Sequence, residues 1–145
     1  MGLNIKVNID TSNVAKFFNM GKRKAKRLVR QEVRRAAIDI EQRAKMSIAG
    51  SPKNYRTYSY KGRITRSSSP GGPPADQSGT LRNSITKRFK RGGMVADIGP
   101  QAHYGGYLEK GTSKMAARPF MLPALEIERE QFLRRVRFAI MRGFE

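Results

Sequence analysis

Bond-making chemistry needs a nucleophile, a base or a metal ligand in company, and this chain offers few candidates. Its one histidine is His103. No nucleophile–base spacing surrounds it, so it reads as a packing or hydrogen-bonding residue. Asp97, Glu109 and Glu126 could hold a nuclease metal only by converging from separate elements, and they form no motif. With no cysteine there is no disulfide framework and no thiolate metal site. A lone histidine excludes a His-based zinc site within one chain. Gly71-Gly72-Pro73-Pro74 could suggest a phosphate loop, but the Gly-Lys-Ser/Thr ending and a preceding apolar strand are missing. The expectation is a protein that is not an enzyme and that holds no metal and no cofactor.

The chemistry these residue types do support is the binding of anions. Thirty Lys and Arg face eleven Asp and Glu, a formal net charge of +19 over 145 residues. Such a field favours nucleic acid, an acidic protein surface or anionic lipid, unless it only keeps the protein soluble. The cations fall in three groups. Lys22, Arg23, Lys24, Lys26, Arg27 and Arg30 crowd the start of one helical segment. The macrodipole disfavours cations there, and an external anion would relieve the conflict. Lys53, Arg56, Lys61, Arg63 and Arg66 are interleaved with Tyr55, Tyr58 and Tyr60, and no acid occurs in residues 53–75. Cations among rings can track a phosphate backbone, can order in a protein interface, or can belong to a plain flexible loop. Lys87 and Arg88, with Lys90 and Arg91, form the third group; some of these would serve only to protect an edge strand.

The elements that position these groups follow from periodicity. Leu3, Ile5, Val7 and Ile9 alternate with polar residues, which predicts a half-buried strand. Thr11, Ser12 and Asn13 are N-cap candidates for a helical segment from about Val14, with Gly21 as a kink or break. Residues 22–48 read as a long amphipathic helix, because Val29, Val33, Ala36, Ala37, Ile40, Ala44 and Ile48 recur at spacings of three and four. Residues 53–75 are too many for a structureless loop in a compact domain, so they form a hairpin around Lys61-Gly62 or order against a partner. Ser78 can cap a short helix. Residues 85–99 read as a β-hairpin turning at Gly92-Gly93. A C-terminal helix to about Arg142 would bury Leu125, Phe132, Val136 and Ile140, with Leu133 and Ala139 beside them. The fold class this predicts is α+β over a single domain, 1–145. It has a small antiparallel β-sheet packed by a long N-terminal helix and a C-terminal helix, with 53–75 as a basic loop or arm.

The least generic stretch is 104–125. Gly111 can take a positive φ and stop a short helical turn, Pro119 forces Arg118 towards an extended conformation, and Pro123 fits the first turn of a helix. A turn, an extended arm and a helix start result, a geometry that suits docking on a neighbour or tucking under the domain's own sheet. Glu109 and Arg118 could pair across the Gly111 turn as a structural salt bridge.

This stretch carries a resemblance. Tyr104-x-x-Tyr107-Leu108-Glu109-x-Gly111-Thr112, followed by Ala117-Arg118-Pro119-Phe120-Met121-x-Pro123-Ala124-Leu125, resembles the tailed-phage family of HK97-type neck and tail-completion proteins. Upstream, Pro70-Gly71-Gly72-Pro73-Pro74 and Ser78-Gly79-Thr80-Leu81-Arg82-Asn83-Ser84-Ile85 are similar to that family's Pro-Gly loop and its Gly-x-Leu-x-x-Ser-Ile segment. The two motifs occur in the family's order, and the resemblance covers most of the chain. Residues 53–69 match no pattern of the family. The resemblance implies a homo-oligomeric ring at the head–tail junction, guessed as six-fold. Its neighbours would be connector or head-completion proteins on one side and tail-terminator or tail-tube proteins on the other. DNA would pass through it, touched weakly and without base readout by the cations named above. Tyr104, Tyr107, Glu109, Thr112, Arg118, Pro119, Phe120 and Met121, with Tyr55, Tyr58 and Tyr60, become candidate protein-interface residues. No apolar run approaches the ~20 residues of a membrane span, and no signal-peptide core is visible at the N-terminus. The expected place is the virion, assembled in the host cytoplasm, without membrane contact. The alternative is a sequence-nonspecific nucleic-acid-binding protein.

Overall fold

Alternation sets the first element. Val7 and Ile9 are buried while Asn8 and Asp10 are exposed, giving strand β1, Val7–Asp10. The computed structural model describes residues 5–13 and 23–145. Leu3, Asn4, the helical segment expected from Val14, the Gly21 break and Lys22 lie outside the described residues.

Helix α1 spans Arg23–Ala49, and every residue of the expected apolar stripe is buried in it, with Ala25 added. Next come β2 (Thr57–Tyr60) and β3 (Arg63–Arg66), an antiparallel pair by themselves. Their two-residue turn has Lys61 at φ 49° and Gly62 at φ 75°. Positive φ at both central positions matches the twist of a tight hairpin, and glycine at the second removes the steric penalty there. A short helix α2 (Thr80–Ser84) leads into β4 (Ile85–Lys90) and β5 (Val95–Pro100). These form the expected hairpin, and Gly92 and Gly93 turn it at φ 62° and 88°. Helix α3 (Gly105–Lys110) and helix α4 (Met121–Phe144) complete the order.

The main sheet is antiparallel in the order β1-β5-β4. Val7, Ile9, Ile85, Ala96 and Ile98 point to one face, where α1 and α4 pack. Burial of each larger side chain contributes about 1.5–3 kcal/mol. The result is the α+β class expected: helices on one side of a small antiparallel sheet.

Charge and close packing fix how α1 and α4 meet. Arg135 of α4 donates to Glu32 of α1 at 2.7 Å and to Glu128 on its own helix, and Arg43 of α1 lies 3.9 Å from Glu128. Glu128 is only 1% exposed, and a carboxylate so buried needs such cations. Nearby, a Cβ on Gly143 would lie 2.2 Å from the Cβ and 2.4 Å from the Cα of Ala25. Alanine at 143 gains about 1 kcal/mol of helix propensity, but forcing the helices apart costs about 1–3 kcal/mol. We expect Gly143→Ala to destabilise the subunit, read as a lower urea midpoint.

Two local expectations change. Leu133 is more than half exposed, because the buried side of α4 is rotated towards Ala124, Glu128, Val136 and Ala139. Ser78 is not the N-cap residue of α2, although its Oγ accepts the Thr80 N–H at 3.4 Å. Gly79, in the left-handed region at φ 76°, holds the N-cap position, and Asp76 accepts its N–H at 2.8 Å.

Candidate functional site

The arm between α3 and α4 is built around two buried charged side chains. Gly111 sits at φ 75°, and a Cβ there would lie 2.7 Å from the Ala117 nitrogen. The chain reverses at this point, and Arg118 N–H donates to the Leu108 carbonyl at 2.6 Å. Phe120 then enters the core, fully buried. Glu109 closes the loop: one carboxylate oxygen accepts the N–H groups of Phe120 at 2.8 Å and Met121 at 3.0 Å, and the other accepts that of Leu122 at 2.8 Å. These are the unpaired donors at the start of α4, where a negative charge also meets the positive end of the helix dipole. Arg118 turns the other way. Its Nε and Nη2 donate to the Ser68 carbonyl at 3.2 and 3.1 Å. The expected Glu109–Arg118 pair is thus replaced by two separate anchors, each group bonding backbone partners instead.

Arg118 ties the arm to the base of the β2–β3 hairpin. Gly71 N–H adds a bond to the Ala117 carbonyl at 3.0 Å, and Ser51 Oγ donates to the Pro73 carbonyl at 2.6 Å. Gln77 accepts from Thr65 at 2.7 Å and donates to the Arg66 carbonyl at 2.9 Å. Between hairpin and arm lies a groove of about 660 Å³. Tyr55, Tyr58, Tyr60 and Tyr104 line it, with Leu81, Leu108 and Met115. Burial raises the pKa of the Tyr58 and Tyr104 phenols, and the charge a Tyr60 phenolate would carry adds to both, so they remain protonated donors.

The expected interface residues therefore divide. Tyr55, Tyr58 and Thr112 are exposed, and Tyr60, Tyr104, Tyr107 and Pro119 are partly buried. Glu109, Arg118, Phe120 and Met121 are buried within the subunit. Those four form its core and its internal anchors, a correction to their place on an outer interface.

The cations divide as well. Lys53, Arg56, Lys61, Arg63 and Arg66 are all exposed and make no ion pair among the described residues. Arg56 and Lys61 lie over the rings of Tyr55 and Tyr60 at 5.4 and 5.6 Å. On α1, Arg23, Lys24, Arg27 and Arg30 are exposed and Lys26 is partly buried. Arg88 is exposed on β4. Lys87 is different: it donates to Glu41 of α1, so its charge is neutralised inside the subunit. Burial alone would raise the Glu41 pKa, but hydrogen bonds from Lys45 and Lys87 outweigh it and hold the group ionised. Lys90 does the same for Asp97, helped by Asn8.

A protein-family model described as "Bacteriophage HK97-gp10, putative tail-component" matches residues 12–111. That is more than half of the chain. The chain belongs to this HK97-gp10-like family. It is a structural protein of a bacteriophage, a tail component of the virion. The match runs through the hairpin and groove and ends at Gly111, so the Ala117-Arg118-Pro119-Phe120 stretch and α4 lie beyond it. No curated protein and no solved structure matches the chain. Among the described residues no helix is long and apolar enough to cross a membrane.

Sequence reading missed Ser68 and Gln77, which hold the hairpin against the body, and Asp76, which holds the start of α2 through Gly79 and Arg82. The Asp76-x-x-Gly79 spacing was a usable signal, since Asp commonly accepts from a backbone N–H a few residues on.

Proposed function

We propose that the subunit works without catalysis, as one member of a homo-oligomeric ring at the head–tail junction. Connector or head-completion proteins lie on one side of the ring and tail-terminator or tail-tube proteins on the other. Family membership supports a virion role, and one observation carries the rest. The acids outside α4 are used within the subunit, while the hairpin and the first turns of α1 keep their positive charge outward. A ring lumen with such walls touches passing DNA through phosphates alone, weakly enough to release it on ejection.

The test is the mass of nuclease-treated protein across a salt series, with negative-stain images of the same fractions. A closed ring of defined stoichiometry is expected. A monomer that shifts only when DNA is added would favour a sequence-nonspecific nucleic-acid binder instead. The hairpin charges have their own measurement. Changing Lys53, Arg56, Lys61, Arg63 and Arg66 together to Ser should leave the unfolding midpoint unchanged, because all five are exposed. DNA affinity should fall, and the slope of log K against log salt should shrink by about one for each phosphate no longer neutralised. An unchanged slope would remove the hairpin from the DNA-facing surface.

A further inference from the structure

The eleven acids of this chain are unevenly used. Asp10, Glu32, Asp39, Glu41, Asp76, Asp97 and Glu128 each face a Lys or Arg within the subunit, and Glu109 caps α4. Apart from the last residue, that leaves Glu126 and Glu130, both exposed on α4 and in no ion pair among the described residues. Their neighbours on the helix surface are unusual. Leu122, Ile127 and Leu133 are 51%, 53% and 54% exposed. Spacings of four, four and three place Leu122, Glu126, Glu130 and Leu133 along one outward stripe of α4, and Ile127, three before Glu130, lies beside it. A face of three large exposed aliphatics around two unpaired acids is costly to leave in water on a lone subunit.

The β2–β3 hairpin presents the complement. In its register Ser59 opposes Ile64 and Thr57 opposes Arg66, so these four share one strand face; of them Ser59, Ile64 and Arg66 take no part in the groove, which Tyr58 and Tyr60 line from the other face. Ile64 is 83% exposed, the most exposed large apolar residue among those described. Arg66 shares that face with it, whereas Arg63 opposes Tyr60 and points to the other face, and residues 53–75 carry no acid until Asp76. An apolar knob beside a cation faces outward on one element, and anions between apolar side chains face outward on another.

We propose that the hairpin of one copy docks on the first half of α4 of the next copy. Ile64 packs on the exposed aliphatics of that face, and Arg66 meets Glu126 and Glu130. Because the two surfaces differ, the contact is head-to-tail, the type that generates rings when its rotation closes. It rests on the ring reading above and supplies the contact that ring requires. It also gives a protein of net charge +19 an attractive patch towards its own kind, since each copy offers its unpaired acids where the next offers a cation.

The test uses the full chain, freed of nucleic acid, and reads mass against concentration. Glu126→Lys with Glu130→Lys should raise the concentration at half-assembly at least about tenfold, as should Arg66→Glu. Mixing the two variants should restore assembly between unlike copies at one interface, and combining all three changes in one chain should restore rings. Ile64→Ser should weaken assembly with no change in unfolding midpoint, since the side chain is outside the core. Rings that survive both charge reversals, or defects that the combined variant does not repair, overturn this contact and leave the ring reading standing. A wild-type chain that stays monomeric at every concentration overturns the contact and the self-assembling ring together.

Discussion

Replacing Phe120 by alanine is expected to destabilise the subunit by about 3–5 kcal/mol. Phe120 is fully buried and belongs to the cluster formed by α1, the sheet and α4. The loss has two parts: the transfer free energy of the ring, and the cavity that neighbours fill only in part. Its surroundings cannot collapse easily. The residue sits at the N-cap position of α4, and its backbone N–H is held by Glu109. Against a whole-domain stability of about 5–15 kcal/mol, this change removes a large share. Urea unfolding should show a much lower midpoint at an unchanged slope. Sizing at low temperature, where the variant still folds, should show assembly like the wild type's. A Phe120→Ala protein with the wild-type midpoint but weakened assembly would falsify the core position and return the arm to an outer interface.

Much of the fold is legible in the chain because it rests on local rules. The apolar stripe of α1 is read correctly from Val29 to Ile48, with only Ala25 missed, since spacings of three and four are a property of the helix alone. Lys61-Gly62 and Gly92-Gly93 mark both hairpin turns, since each turn needs positive φ and glycine adopts it without steric cost, even where Lys61 and Arg91 share it. Helix α4 is harder to read. Leu122, Ile127, Leu133, Phe138 and Met141 compete with the residues that become buried, so periodicity offers more than one apolar side. The choice is made by tertiary contacts: the close approach of Gly143 to Ala25, and the Arg135 link to Glu32. Neither is a property of the helix by itself.

The site is legible in kind and less so in detail. The segregation of tyrosines and cations in 53–75 is compositional, and the structure keeps it as an exposed hairpin beside a tyrosine-lined groove. Lys87 illustrates the limit. Its neighbours in sequence are cations, and its neutralising partner, Glu41, is 46 residues away on α1. Arg118 and Glu109 show the same thing at shorter range. Opposite charges near a turn invite pairing, but a chain that reverses also exposes backbone donors and acceptors, and these take both side chains. Interface residues inferred from a motif are exposed or buried according to such choices, which is why Tyr58 and Phe120 end in different places.

Removing the Glu109 carboxylate should be as damaging as removing the Phe120 ring. Glu109→Ala strips three N–H groups of their acceptor at the start of α4. Bonds to a charged acceptor contribute about 1.5–3 kcal/mol each, and unpaired donors that stay buried cost about 1–3 kcal/mol each. The three share one carboxylate and are not additive, and water can reach the partly exposed end of the set, so a total of about 3–5 kcal/mol is expected. Glu109→Gln separates charge from shape. Its carbonyl can still accept one or two of the N–H groups, but its NH₂ opposes a donor, and the attraction to the helix dipole is lost. It should fall between, at about 2 kcal/mol. Unfolding midpoints order the three proteins. Limited proteolysis then tells where the loss acts: cleavage should rise first within 111–118, because releasing the start of α4 frees the arm before the sheet opens. If the alanine variant matches the wild type in midpoint and in cleavage, the carboxylate contributes nothing there, and the arm is held by Phe120 and Arg118 alone. The graded order, wild type above Gln above Ala, is what a remote cap requires, and packing alone would not separate Gln from Glu.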